Sequence, residues 1–134
     1  MTFRTLLVTK GAVCLFFGVF LLAAPGVLFG LLGGTLNAAG MFTAREYGAA
    51  LIGTLLLTWF AKDVSAADAR RAILLDLLVY DGIGVIITFT VLLSGVLTAL
   101  GWGVLVVYLF FAAGSGYVLL AGGSSAVSQR KLEA

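Results

Sequence analysis

The sequence predicts an all-α membrane protein, a bundle of four transmembrane helices with both termini cytoplasmic, and three observations lead there. Hydrophobic residues make up 62% of the chain and charged residues 10%, a balance outside that of soluble domains. At about 20 apolar residues per crossing plus a connection, the 134 residues hold four spans and no separate soluble domain. Arg4, Lys10, Lys62, Arg70, Arg71, Arg130 and Lys131 fall at the two termini and the middle connector, while Arg45 stands alone opposite. Basic flanks are retained on the cytoplasmic side.

The first span is expected at about residues 5–24. "RTLLVTKGAVCLFFGVFLLAA" has the look of a secretory leader, but its uncharged run from Gly11 to Pro25 is long for one, so it reads as a retained helix. Pro25-Gly26 stops it, because proline has no N–H to continue the ladder. "GVLFGLLGGTLNAAG" is too short and glycine-rich to cross again and reads as a half-helix or turn along the interface. The second span follows at about 42–61. "AKDVSAADARRA" is the one strongly polar connector, and Ser65 ahead of Asp68 marks a helix start for the third span, about 69–93. A tight reversal at "SGVLTALGWG" leads to the fourth, about 100–121, and "GGSSAVSQRKLEA" reads as a flexible polar tail. Residues 1–134 thus form a single transmembrane domain, multi-pass in a plasma (inner) membrane of bacterial type, with Trp59 and Trp102 as interfacial anchors.

What is missing removes classes of chemistry. The chain has no histidine and a single cysteine, Cys14, so histidine-ligated metal or haem and an internal disulfide are excluded. No nucleophile triad or phosphate-cradling loop is present. No catalytic residue, metal or cofactor is expected, nor is nucleic acid a partner, since the basic residues lie beside spans. The 18 glycines sit within or beside the spans. Ala49 with Gly53, and Ala112 with Gly116, are small pairs at i, i+4 that favour close helix packing.

The informative residues are the charges inside the spans. Asp76 and Asp81 lie in the third, where a carboxylate is costly unless paired, protonated or facing a polar cavity. Counting 1.5 Å per residue, Asp76 lies roughly 8 Å in and Lys10 roughly 9 Å in from the same side. Matching depths predict a structural Lys10–Asp76 ion pair between the first and third helices. Asp81 comes roughly 15 Å in, near the middle of a hydrocarbon layer about 30 Å thick. Five residues turn a helix by about 140°, so the two aspartates face different ways. Asp81, Gly84 and Thr88 form a strip expected to meet Glu46, Ala50, Thr54 and Thr58 of the second helix.

Two readings of Asp81 follow. It hydrogen-bonds across helices to Thr54, Tyr108 or Ser115 and so specifies packing. Alternatively it is the proton or cation acceptor of a small polar cavity opening outward, a proton- or ligand-binding site with Arg45, Glu46 and Tyr47 at the mouth, as in a small-solute or proton-coupled transporter.

Three stretches carry a family likeness: "LLAAPGVLFGLLG" ending the first span, "AREYGAALIGTLLL" opening the second, and "WFAKDVSAADARRAILL" leading into the third. In these the chain resembles the small four-span bacterial membrane proteins of the broad DoxX-like group. The resemblance implies the four-helix fold and draws attention to Arg45 and Gly48. Some members of that wider group associate with redox partners, whereas this chain lacks the paired cysteines or histidine that redox work would use. The sequence therefore favours a non-enzymatic accessory or assembly subunit of a larger membrane complex, or a homo-oligomer. Its partners would be the lipid bilayer and other membrane subunits or itself, with the transporter as the alternative.

Overall fold

The computed structural model describes the backbone of residues 1–132 and the side chains of residues 1–122. It is all-helical: α1 (Phe3–Ala23), α2 (Pro25–Leu31), α3 (Ala38–Ala61), α4 (Ala67–Leu93) and α5 (Leu100–Leu132). Within the described residues α1, α4 and residues Leu100–Gly122 of α5 are long and apolar enough to cross a membrane. α3 has the length but carries Arg45, Glu46 and Tyr47 near its start, which lower its hydropathy.

Local chemistry explains the boundaries. Thr2 caps α1 by accepting the Thr5 N–H at 3.2 Å, and Asn37 caps α3 by accepting the Gly40 N–H at 2.8 Å. α1 stops at Pro25, which becomes the first residue of α2, the position where a missing N–H costs nothing. α4 starts after Ala66 with no side-chain cap, so Ser65 does not supply the expected one, although Asp68 lies in the first turn. The α5 backbone continues as helix to Leu132 through the stretch expected to be a polar tail.

The long helices alternate in direction. Gly11 of α1 lies against Thr58 of α3, and Gly18 lies against Gly48, so these two run antiparallel. At the second crossing the backbones nearly touch: a Cβ built on Gly48 would stand 3.0 Å from the Gly18 carbonyl oxygen. The close seam is therefore Gly18–Gly48, and the expected pair Ala49 and Gly53 faces outward, with nothing within 4 Å of a Cβ on Gly53. The pair Ala112 and Gly116 is also off the seam, Gly116 reaching only Leu78 at 3.9 Å. α4 and α5 form the second antiparallel pair, with Gly84 packed under the ring of Tyr108.

Two apolar clusters hold the pairs together. Phe3, Leu6 and Leu7 of α1 pack with Leu74 and Leu77 of α4 and Phe111 of α5 at the amino-terminal end. Cys14, Leu21, Ala44 and Leu51 join α1 to α3 toward the opposite end. There the two connections meet: Thr98 donates its N–H to Leu32 O and its hydroxyl to Leu31 O, both at 2.9 Å. Gly33, beside Thr98, takes φ +94, which a side chain would resist. Threonines inside the helices return their hydroxyls to carbonyls one turn back, Thr54 to Ala50 O and Thr58 to Thr54 O, so these groups are satisfied without water.

Candidate functional site

The buried stripe of α4 is Leu74, Leu77, Asp81 and Thr88. Asp76 is off it and exposed. The end contacts set the register, because the Arg70 guanidinium lies 4.5 Å from the centre of the Phe3 ring. From that level Lys10 is roughly 10 Å along α1 and Asp81 roughly 16 Å along α4. A lysine side chain spans the difference, and the carboxyl of Asp81 leans back toward the start of its own helix. The Lys10 ammonium accordingly donates to Asp81 Oδ1 at 2.5 Å, with both side chains buried, 5% and 0% exposed. This replaces the Lys10–Asp76 pair expected from depth alone: equal depth on the wrong helix face brings no contact.

The ammonium is also sandwiched by rings, 4.5 Å from the centre of Phe111 and 5.1 Å from that of Tyr80. Cation–π attraction is strongest where water is absent. One oxygen of the carboxylate remains over. Asp81 Oδ2 and Ser115 Oγ are buried with no hydrogen-bond partner among the described residues. Neither Thr54 nor Ser115 bonds to Asp81, and Tyr108 makes its hydroxyl contact with Tyr47. The strip Glu46, Ala50, Thr54, Thr58 does not meet Asp81 either. Thr58 is buried against Gly11 of α1, while Gly84 in the Asp81 strip receives Tyr108 of α5.

Above the ion pair lies a partly open cavity of about 340 Å³. Lys10, Asp81 and Thr88 give its polar lining together with three tyrosines, and the rest is apolar: Val13 and Phe17 of α1, Leu28 and Phe29 of α2, Val91 of α4, Val104 of α5 and others. Leu32, just after α2, and Leu97 of the α4–α5 connection contribute to the wall at the far end. The tyrosines come from three helices. Tyr47 of α3 makes a hydroxyl–hydroxyl contact with Tyr80 of α4 and another, at 3.1 Å, with Tyr108 of α5. This cluster ties α3 to the other antiparallel pair. Of the residues singled out in advance, Asp81 and Tyr47 line the cavity; Arg45 and Glu46 are exposed and outside its wall. Lys10 joins the site in place of a purely structural role, and Tyr80 had not been singled out. Its position next to Asp81 was the available signal.

No family model matches this chain, and neither a curated protein nor a solved structure matches it.

Proposed function

We propose that the chain is a four-crossing integral membrane protein, with α3 as the fourth crossing, whose bundle binds a small apolar molecule between its two helix pairs. The cavity carries this reading. Pockets for small ligands are mostly apolar with a few placed polar groups, and range over ~300–1,000 Å³; this one has about 340 Å³ and such a lining. Its largely apolar wall gives water few partners, so an apolar guest suits it better than solvent. For α3, its 24 residues, about 36 Å of helix, and its packing along α1 support a crossing.

The transporter alternative draws less support, because Lys10 already neutralises Asp81 and the wall offers a hydrophilic solute little. Service in a larger membrane complex is compatible with a pocket. The exposed faces bearing Phe42, Phe60, Ile86 and Leu93 suit lipid and neighbouring helices equally.

A photoactivatable dodecane with a mid-chain diazirine tests the pocket on the full chain in phosphatidylcholine nanodiscs. Saturable labelling of peptides containing Leu28, Phe29 and Val104 is expected, competed by unlabelled dodecane. Labelling confined to the outer faces around Phe60 and Ile86, and proportional to probe without saturation, would overturn the reading.

A further inference from the structure

Resting on the reading of α3 as the fourth crossing, we propose that two copies of this chain pair in the membrane through the outward face of α3, with Arg45 of each copy bonded to Glu46 of the other. Apolar exposure alone does not tell lipid from a neighbouring helix. On α3 the charges do. Glu46 is exposed and stands eight residues beyond Ala38, roughly 12 Å along the helix. For a helix of 24 residues, about 36 Å, centred on a hydrocarbon layer about 30 Å thick, that is roughly 9 Å below the edge of the layer. The arginine beside it has a long stem with which to reach back to the surface; the shorter glutamate has not. Among the described residues neither side chain has an ion-pair or hydrogen-bond partner. An ionisable residue at this depth turns to protein or water, not to acyl chains.

The face around Glu46 has the spacing of a helix seam. Inside the chain α3 buries Ala44, Gly48, Leu51 and Thr58. On its far side Phe42, Glu46, Ala49, Gly53, Leu56 and Phe60 follow one another at alternating steps of four and three residues, and all six are exposed. A repeat of about 3.5 residues is the one that keeps two helices in register along a left-handed supercoil. Nothing lies within 4 Å of a Cβ on Gly53, and with Ala49 beside it a second backbone has room to approach. Copies inserted with one topology and related by a two-fold axis along the membrane normal set α3 parallel to α3, each residue meeting its equivalent. In such a seam the residue just before a seam position flanks the opposing knob, so each Glu46 enters a hole edged by Arg45 of the partner subunit. Both charges are answered twice over, and the arginines offset the approach of the two glutamates. The surface is its own complement in charge, which is why a second copy fits it.

Single cysteines in a Cys14→Ser background test the seam, on the full chain in phosphatidylcholine liposomes oxidised with copper phenanthroline. Ala49→Cys, Gly53→Cys and Leu56→Cys should each give at least about fivefold more disulfide-linked dimer than Ala50→Cys, Thr54→Cys and Leu57→Cys, because a disulfide needs Cα atoms within about 4.4–6.8 Å. The charges are tested by energy transfer between donor- and acceptor-labelled chains on dilution with lipid. Arg45→Glu and Glu46→Arg should each weaken self-association about tenfold, since like charges then face one another. An equal mixture of the two variants should recover it, as should the exchanged chain Arg45→Glu/Glu46→Arg, and recovery also shows that the variants fold. Equal crosslinking at all six positions, or energy transfer no greater than random collision gives, would overturn the pairing. If Ala49→Cys is then shielded from an impermeant maleimide, the crossing by α3 stands and only the pairing falls; if it is labelled, the crossing falls too. Seam-specific crosslinking that is indifferent to every charge variant would refute the exchanged ion pairs, and with them the proposal.

Discussion

Replacing Lys10 by methionine removes the one cation that faces Asp81 among the described residues, and the structure sets the scale of the loss. Both side chains are buried, and no other described residue is placed to replace the ammonium. Breaking a buried pair from one side costs about 3–5 kcal/mol, because the remaining charge is left uncompensated. The contacts with Phe111 and Tyr80 add to this, each about 0.5–2 kcal/mol by the usual range for cation–π pairs. Methionine recovers part through its own packing, so a net loss of about 3 kcal/mol is expected, roughly 150-fold in the folded-to-unfolded ratio. Removing both charges, as in Lys10→Met/Asp81→Leu, should restore most of it, since an apolar pair of similar volume is often as stable as a buried salt bridge. The assay is reversible unfolding in mixed dodecylmaltoside and SDS micelles, followed by far-ultraviolet circular dichroism. The Lys10/Asp81 cycle should give a coupling of about 2–3 kcal/mol, and the Lys10/Asp76 cycle should be additive within about 0.5 kcal/mol. Additivity in the first cycle, or coupling in the second, would refute the assignment of the pair.

Other expectations concern the packing around this pair. Gly48→Ala should cost about 1–3 kcal/mol in the same unfolding assay, because the new Cβ meets the Gly18 carbonyl oxygen at 3.0 Å. Gly53→Ala, with nothing within 4 Å, should be neutral or stabilising by up to about 1 kcal/mol through helix propensity. Gly84→Ala would drive a methyl into the Tyr108 ring, 2.5 Å away, and should displace that ring from Tyr47; its readout is loss of the Tyr108 ring shift in NMR spectra of tyrosine-labelled protein. For the topology, single cysteines at Asp63 and Thr98, introduced into a Cys14→Ser background, should be reached by an impermeant maleimide from opposite faces of an oriented vesicle. Labelling of both from one face would remove the proposed four-crossing arrangement.

Composition and helix breaks made the helical class legible, because burial in lipid demands apolar runs and each interruption is punctuated: Pro25 starts α2, and Gly33 and Gly95 turn the chain with positive φ. Depth along a helix was also legible. Tyr47 and Tyr108, counted from the starts of α3 and α5, lie roughly 14 and 12 Å in from the same end, which is why one helix can offer its hydroxyl to the other. Rotation about the axis was the missing coordinate. Lys10 has Asp76 at a matching depth and Asp81 beyond it, and only the azimuth of α4 decides between them; that azimuth is fixed by Leu74 and Leu77 entering the cluster with Leu6, Leu7 and Phe111. Weak amphipathicity is the physical cause. In lipid both faces of a helix are apolar, so sequence periodicity no longer says which face turns inward. The same reason hid the Gly18–Gly48 seam among many small residues, and it directed attention to Ala49 and Gly53, which face outward. Where a polar residue breaks the uniformity the azimuth becomes readable, because a carboxylate must turn away from lipid whatever its neighbours prefer. Asp81 thus fixes the inward face of α4, and a second polar residue seven positions on, Thr88, confirms the stripe by being buried on the same wall of the cavity.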